Sequence, residues 1–110
     1  MLEYHRCKDA LSVQLCGEID HFAAKALRDS IELTLQDSSI RSLHLDFSQV
    51  SFIDSSGVGM IIGRYKTMKS RGGTISASGL SPEVERLYRL AGLHRIIPIT
   101  AHTGGEYESD

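Results

Sequence analysis

The chain has 110 residues, a formal charge of -2 and 41% hydrophobic residues, which bounds it to one domain around a single apolar core. So balanced a charge supplies no domain-wide basic field, and direct nucleic-acid binding is not expected. Residues 1–6 carry no apolar signal region and no segment approaches the roughly 20 apolar residues of a membrane span, so a soluble, cytoplasmic protein without membrane contact is expected.

The first elements form a strand pair and a helix. Leu11, Val13 and Leu15 occupy alternate positions before the turn residues Gly17 and Asp20, which predicts a strand over residues 10–17. The segment from Tyr4 to Cys7 supplies a hairpin partner through Lys8-Asp9-Ala10. Cys7 and Cys16 lie in neighbouring apolar stretches without metal-ligand spacing and read as reduced core residues. Asp20 is placed to cap a helix over residues 21–36, whose apolar stripe is Ala23, Ala24, Leu27, Ile31 and Leu35 and which Asp37-Ser38-Ser39 ends.

A second strand carries Leu43, Leu45 and Phe47, and the turn Asp54-Ser55-Ser56 opens a helix over residues 56–70. Val58, Ile61, Ile62, Tyr65 and Met68 follow helical spacing, leaving Arg64, Lys66 and Lys69 to face water, before Gly72-Gly73 closes the unit. Residues 74–78 read as a third unit's strand. Ser81-Pro82-Glu83 then starts a helix with the stripe Val84, Leu87, Tyr88 and Ala91, and Gly92 ends it. Residues 95–99 read as a last strand that Pro98 confines to an edge. This order predicts an α/β fold: an open mixed, largely parallel sheet of about five strands with helices mainly on one face. Residues 1–100 form the domain, and residues 101–110, which lack periodicity, read as a flexible tail.

No enzyme chemistry emerges from these patterns. A serine nucleophile needs a base and an orienting group, and Ile53-Asp54-Ser55-Ser56-Gly57 does not match the G-x-S-x-G elbow; the five histidines give no sign of a partner. Gly57, Gly59 and Gly63 are spaced G-x-G-x-x-x-G, which is not the dinucleotide fingerprint, so no cofactor is expected. Gly59 and Gly63 instead leave a strip free of side chains, suited to another backbone from the fold or from a partner. Asp46 and Asp54 do not make a metal pair, and the Arg64 to Arg71 cluster reads as a solvated helix face. Asp20 fits a helix cap or a partner contact equally. Asp54-Ser55-Ser56 is by itself an N-cap, yet a helix start has unpaired N–H groups and partial positive charge, and a phosphate attached at Ser55 or Ser56 would find donors there.

The run Asp46-Phe47-Ser48-Gln49-Val50-Ser51-Phe52-Ile53-Asp54-Ser55-Ser56-Gly57-Val58-Gly59, followed by Gly63-Arg64-Tyr65-Lys66, resembles the anti-sigma-factor antagonists of the STAS domain family, most of all their sporulation-type, anti-sigma F branch. Gly17-Glu18-Ile19-Asp20-His21, Leu80-Ser81-Pro82 and Ala91-Gly92-Leu93 also fall where that family has similar residues, and the likeness spans residues 8–99. It implies an anti-anti-sigma factor, a partner-switching phosphoprotein in transcription regulation and not an enzyme. The unphosphorylated form would bind an anti-sigma factor serine kinase carrying its nucleotide and so free the sigma factor. The kinase would phosphorylate the second serine of the turn, and a PP2C-type serine phosphatase would remove the phosphate. Carried over by position, the phosphoacceptor is Ser56, and the partner-binding set is Asp20, Asp54, Ser55, Ser56, Gly57, Val58 and Gly59. The family often adds a helix after the last strand, where this chain has a short glycine-bearing tail. Alternatives are a non-switching STAS interaction or scaffold module, and a small-molecule or nucleotide binder using the glycine strip.

Overall fold

A computed structural model describes residues 2–101. In chain order the elements are β1 (Glu3–Cys7), β2 (Ala10–Ile19), α1 (His21–Thr34), β3 (Ser42–Ile53), α2 (Ser55–Ser70), β4 (Thr74–Ser78), α3 (Pro82–Leu90) and a 3₁₀ turn (Leu93–Arg95). The sheet order is β1-β2-β3-β4; β1 runs antiparallel to β2 and the other pairs are parallel. The tail expected beyond residue 100 lies, apart from Ala101, outside the described residues. Among the described residues, no helix is long and apolar enough to cross a membrane.

Strand alternation decides which face is covered. Leu11, Val13, Leu15, Leu43, Leu45, Phe47, Ile75 and Ala77 are buried. The residues between them, Ser12, Gln14, His44, Asp46 and Ser76, are half-buried and form the polar face. The helices pack on the apolar face through their predicted stripes: Ala24, Leu27 and Ile31 from α1, Ile61 and Met68 from α2, Val84 and Tyr88 from α3. Phe47 meets Tyr88 edge to face, with ring centroids 5.9 Å apart, and the Tyr88 hydroxyl donates to the Ile97 carbonyl at 2.8 Å.

Two expectations are corrected. Among the described residues the sheet has four strands and not five: after Gly92, at φ 81, the chain turns through Leu93–Arg95, and residues 96–100 reach the sheet only through a bridge from Ala77 to Ile99. Pro98 has no N–H to give a ladder, and the pairing is confined to two bonds, Ala77 N donating to the Pro98 carbonyl at 3.0 Å and Thr100 N donating to the Ala77 carbonyl at 2.7 Å.

Strand β3 continues past Phe47 to Ile53. Its register against β2 shifts between Gln14 and Cys16 and again between Gly17 and Glu18. Each bulge breaks the period of two on which strand recognition depends, so Ser48 and Gln49 are both exposed before burial resumes at Val50 and Ile53.

The second correction is that both cysteines are exposed thiols. Tyr4 and Arg6 pair with the inward-facing Val13 and Leu11, leaving Cys7 on the opposite parity. Cys16 follows inward-facing Leu15 at the first register shift.

Candidate functional site

The carboxyl ends of β2 and β3 lie side by side at one end of the sheet, where open α/β folds place their ligand sites, and each feeds a helix there. Asp20 follows β2 and caps α1, its Oδ1 accepting from Ala23 N at 2.9 Å. Asp54 does the same for α2, with Oδ1 accepting from Ser56 N at 2.8 Å and Gly57 N at 3.1 Å. The two caps are tied together, because Asp54 N donates to the Ile19 carbonyl at 3.2 Å. The sequence thus specified both caps locally, and strand pairing sets them side by side.

Gly57 has a packing reason to be glycine. A Cβ there would lie 2.7 Å from Ile53 Cγ1 and 2.9 Å from both Ile19 Cγ2 and the Ile19 carbonyl oxygen. The first turn of α2 therefore rests directly on the ends of β2 and β3. Of the residues singled out from sequence, Asp20, Ser55 and Gly59 are exposed, Asp54, Ser56 and Val58 are half-buried, and Gly57 is buried beneath them. Asp46 stands apart on the polar sheet face, where its Oδ1 accepts from Ser48 N at 2.9 Å.

Two residues that pattern reading passed over complete this surface. His21 Nδ1 lies 3.4 Å from Ser56 Oγ, joining the first turns of α1 and α2. Phe22, at 81% exposure, presents its ring to solvent beside His21, the two rings meeting edge to face at 5.7 Å. A large apolar residue off the Ala24-Leu27-Ile31 stripe was a readable signal for Phe22; the proximity of His21 to Ser56 was not. Phe52 adds a second exposed ring near the end of β3. Among the described residues no carboxylate is hydrogen-bonded to His21, so the Ser56–His21 contact lacks the orienting third member of a nucleophilic triad.

The solvated-face reading of Arg64 to Arg71 is corrected in two places. Lys66 and Lys69 are exposed as expected, but Arg64 is only 6% exposed, with Nε 2.9 Å from Glu32 Oε2. Burial pulls the Arg64 pKa down, and the Glu32 carboxylate opposes that pull. Arg71 is half-buried and donates to three carbonyls, those of Leu35 at 2.6 Å, Ile40 at 3.1 Å and Asp37 at 3.3 Å. The cause is that α2 packs against both the sheet and α1, so it has two buried sides where an amphipathic surface helix has one. The glycine strip faces the same neighbour but is not filled: a Cβ on Gly59 or Gly63 would meet nothing within 4 Å. Both glycines line an open cleft between α1 and α2.

This arrangement has counterparts of known family. The STAS domain model matches residues 2–105. The chain is 36% identical over 98 residues to the anti-sigma F factor antagonist of Paenibacillus polymyxa, covering 89% of this chain and 82% of that protein. It is 34% identical over 96 residues to the anti-sigma-B factor antagonist of Bacillus subtilis strain 168, covering 86% and 85%. The fold superposes on the unphosphorylated form of the anti-sigma factor antagonist SpoIIAA with a TM-score of 0.77 at 22% identity, covering 99% of this chain and 96% of that one. With the mixed sheet, its helices and the capped turns at one end all inside the matched region, this chain belongs to the STAS domain family.

Proposed function

We propose that the protein is an anti-sigma factor antagonist that works by partner switching at the edge formed by the starts of α1 and α2. In its unphosphorylated form it binds an anti-sigma factor serine kinase, with nucleotide bound to the kinase, and the sigma factor is released. Phosphorylation of Ser56 ends that complex, and a PP2C-type phosphatase restores the binding form. The names of the Paenibacillus and Bacillus relatives, anti-sigma F and anti-sigma-B factor antagonists, support the antagonist role, and the sequence resemblance to the sporulation-type branch supports a sporulation sigma factor as the one released, in a bacterial cytoplasm.

The observation that carries this reading is the placement of Ser56. Its amide is held by the Asp54 carboxylate while its hydroxyl stands at the rim, 3.4 Å from His21. Asp20, Phe22, Ser55 and Val58 surround that rim as accessible contact groups, and Gly57 and Gly59 keep the turn low. A phosphate on Ser56 adds about -1.5 to -2 charge beside Asp54, at a helix end that tolerates an anion in water. Beneath a partner the same charge must be desolvated next to a carboxylate. A thousandfold loss of affinity needs only about 4 kcal/mol, which a local change of this kind supplies without rearranging the sheet.

The test is mass spectrometry after incubation with a cognate anti-sigma kinase and ATP, comparing the native chain with Ser56→Ala and Ser55→Ala. One added phosphate, lost only in Ser56→Ala, is the expected result. Tight binding without phosphate transfer would instead make the protein a constitutive interaction module.

A further inference from the structure

We infer that His21 is the positioning residue that makes Ser56, and not Ser55, the phosphoacceptor of this turn. The inference rests on the proposed function, in which a kinase transfers phosphate to the start of α2, and supplies the physical reason for the choice between two adjacent hydroxyls. Ser55 and Ser56 are the first two residues of α2, and neither is buried.

The backbone leaves Ser56 with one freedom. Asp54 Oδ1 accepts from Ser56 N at 2.8 Å and from Gly57 N at 3.1 Å, Asp54 N donates to the Ile19 carbonyl, and Gly57 rests on Ile19 and Ile53. The main chain around Ser56 is thereby fixed, and what remains is rotation of its side chain about χ1. His21 Nδ1, 3.4 Å from Oγ, stands against that rotation. The imidazole is itself placed from the neighbouring strand: Ile19 pairs with Ile53, Asp20 caps α1 directly after it, and His21 is the first residue of that helix. Ser55 is exposed, and among the described residues its hydroxyl has no hydrogen-bond partner, so it is free to change rotamer.

Phosphoryl transfer needs an oriented oxygen. Ser56 Oγ bonds to the γ-phosphorus of the kinase's ATP as the bond from that phosphorus to the β–γ bridging oxygen breaks; ADP leaves with the electron pair, and the hydroxyl proton is released. The rate of such a step depends on holding the attacking oxygen in line with the leaving group. With the ring proton on Nε2, Nδ1 accepts the Ser56 O–H, which turns the hydroxyl hydrogen toward α1 and leaves the Oγ lone pairs free. A separation of 3.4 Å is long for a hydrogen bond, as such contacts commonly are before the reacting partner arrives. Ser55 has no group to aim its oxygen.

Two measurements on the full chain test this, each with His21→Ala, His21→Asn and His21→Gln. Asn places its amide oxygen where Nδ1 stands and Gln places it one bond further out, so Asn should restore what Ala loses and Gln should not. The first measurement needs no kinase: the Hα–Hβ couplings of Ser56 should report a single rotamer in the native chain and in His21→Asn, and rotamer averaging in the other two. The second is tandem mass spectrometry during incubation with the cognate anti-sigma kinase and ATP. Ser56 should be phosphorylated about fivefold more slowly in His21→Ala, as for the loss of one hydrogen bond, with a larger share of the phosphate on Ser55, and His21→Asn should restore both values. Equal couplings in the native chain and His21→Ala overturn the inference. Slower transfer with unchanged couplings would make His21 a direct kinase contact and overturn its action through Ser56. A native chain that takes no phosphate overturns the proposed function and this role with it, whereas a native chain phosphorylated on Ser56 and matched in rate and site by His21→Ala overturns the role of His21 alone.

Discussion

The imidazole of His21 stands 3.4 Å from the hydroxyl of Ser56, so the first turns of two helices meet through residues 35 positions apart. A charge placed on Ser56 is therefore felt at the start of α1 as well as α2, but neither helix need move. Phosphorylated protein should show amide shifts at residues 20–24 and 54–60, with β1 to β4 little changed. Shifts spread through the sheet would mean a global rearrangement and end the local-switch reading.

Asp54 contributes two separable things, a cap and a charge. Replacing it with Ala removes the acceptor for Ser56 N and Gly57 N and should cost about 0.5–2 kcal/mol in denaturant unfolding. Asn preserves capping but removes the carboxylate beside the proposed phosphate. The difference in partner affinity between phosphorylated and unphosphorylated forms should shrink in Asp54→Asn; an unchanged ratio in calorimetry would show that charge repulsion is not the switch.

Glycines on the same helix should respond in opposite directions. Gly57→Ala drives a methyl into Ile53 and Ile19 and should destabilise by about 1–3 kcal/mol. Gly59→Ala and Gly63→Ala meet open space and remove a helix-interior glycine, so each should be neutral or stabilising by up to about 1 kcal/mol. Chemical denaturation of the three variants checks the ordering.

Phe22 pairs high exposure with a position at the rim of the site. Phe22→Ala should leave stability within about 0.5 kcal/mol of the native chain. Kinase affinity should fall at least about tenfold, or about 1.4 kcal/mol, as for an aromatic anchor in an interface. Equal affinity for both proteins would place the interface elsewhere.

Two ionisable groups give stability opposite pH dependences. The Arg6 guanidinium, at 2.6 Å, and Ser39 hold the Asp37 carboxyl well below its ordinary range. That contribution is complete above the unfolded value of about 4 and is lost as pH falls below it. Burial pushes the Tyr88 hydroxyl up, so its contribution is complete below about pH 10 and is lost as pH rises further, when the unfolded chain ionises first. Melting temperatures between pH 2 and 6 should fall less steeply in Asp37→Asn, and those above pH 10 less steeply in Tyr88→Phe.

Much of this protein is legible from local chemistry. Asp20, Asp54 and Ser81 announce three helices because a capping side chain needs only its next three residues. The stripes on α1 and α3 follow from periodicity, and alternation in β2 and β3 foretold a sheet with one apolar and one polar face. The Asp54-Ser55-Ser56-Gly57 turn, too, was visible as a helix start, and its resemblance to the STAS antagonists came from contiguous residues.

What pattern reading missed depends on partners distant in the chain. The bulges that carry β3 to Ile53 are a property of its pairing with β2, and the exposed cysteines follow from strand parity. The burial of Arg64 requires α1 to lie across α2, and the His21–Ser56 contact requires the β2 and β3 ends to be neighbours. Capping and periodicity are interactions within a few residues and are written in the chain itself. The cleft, the buried guanidinium of Arg64 and the shared rim arise only when parallel strands bring two helix starts together.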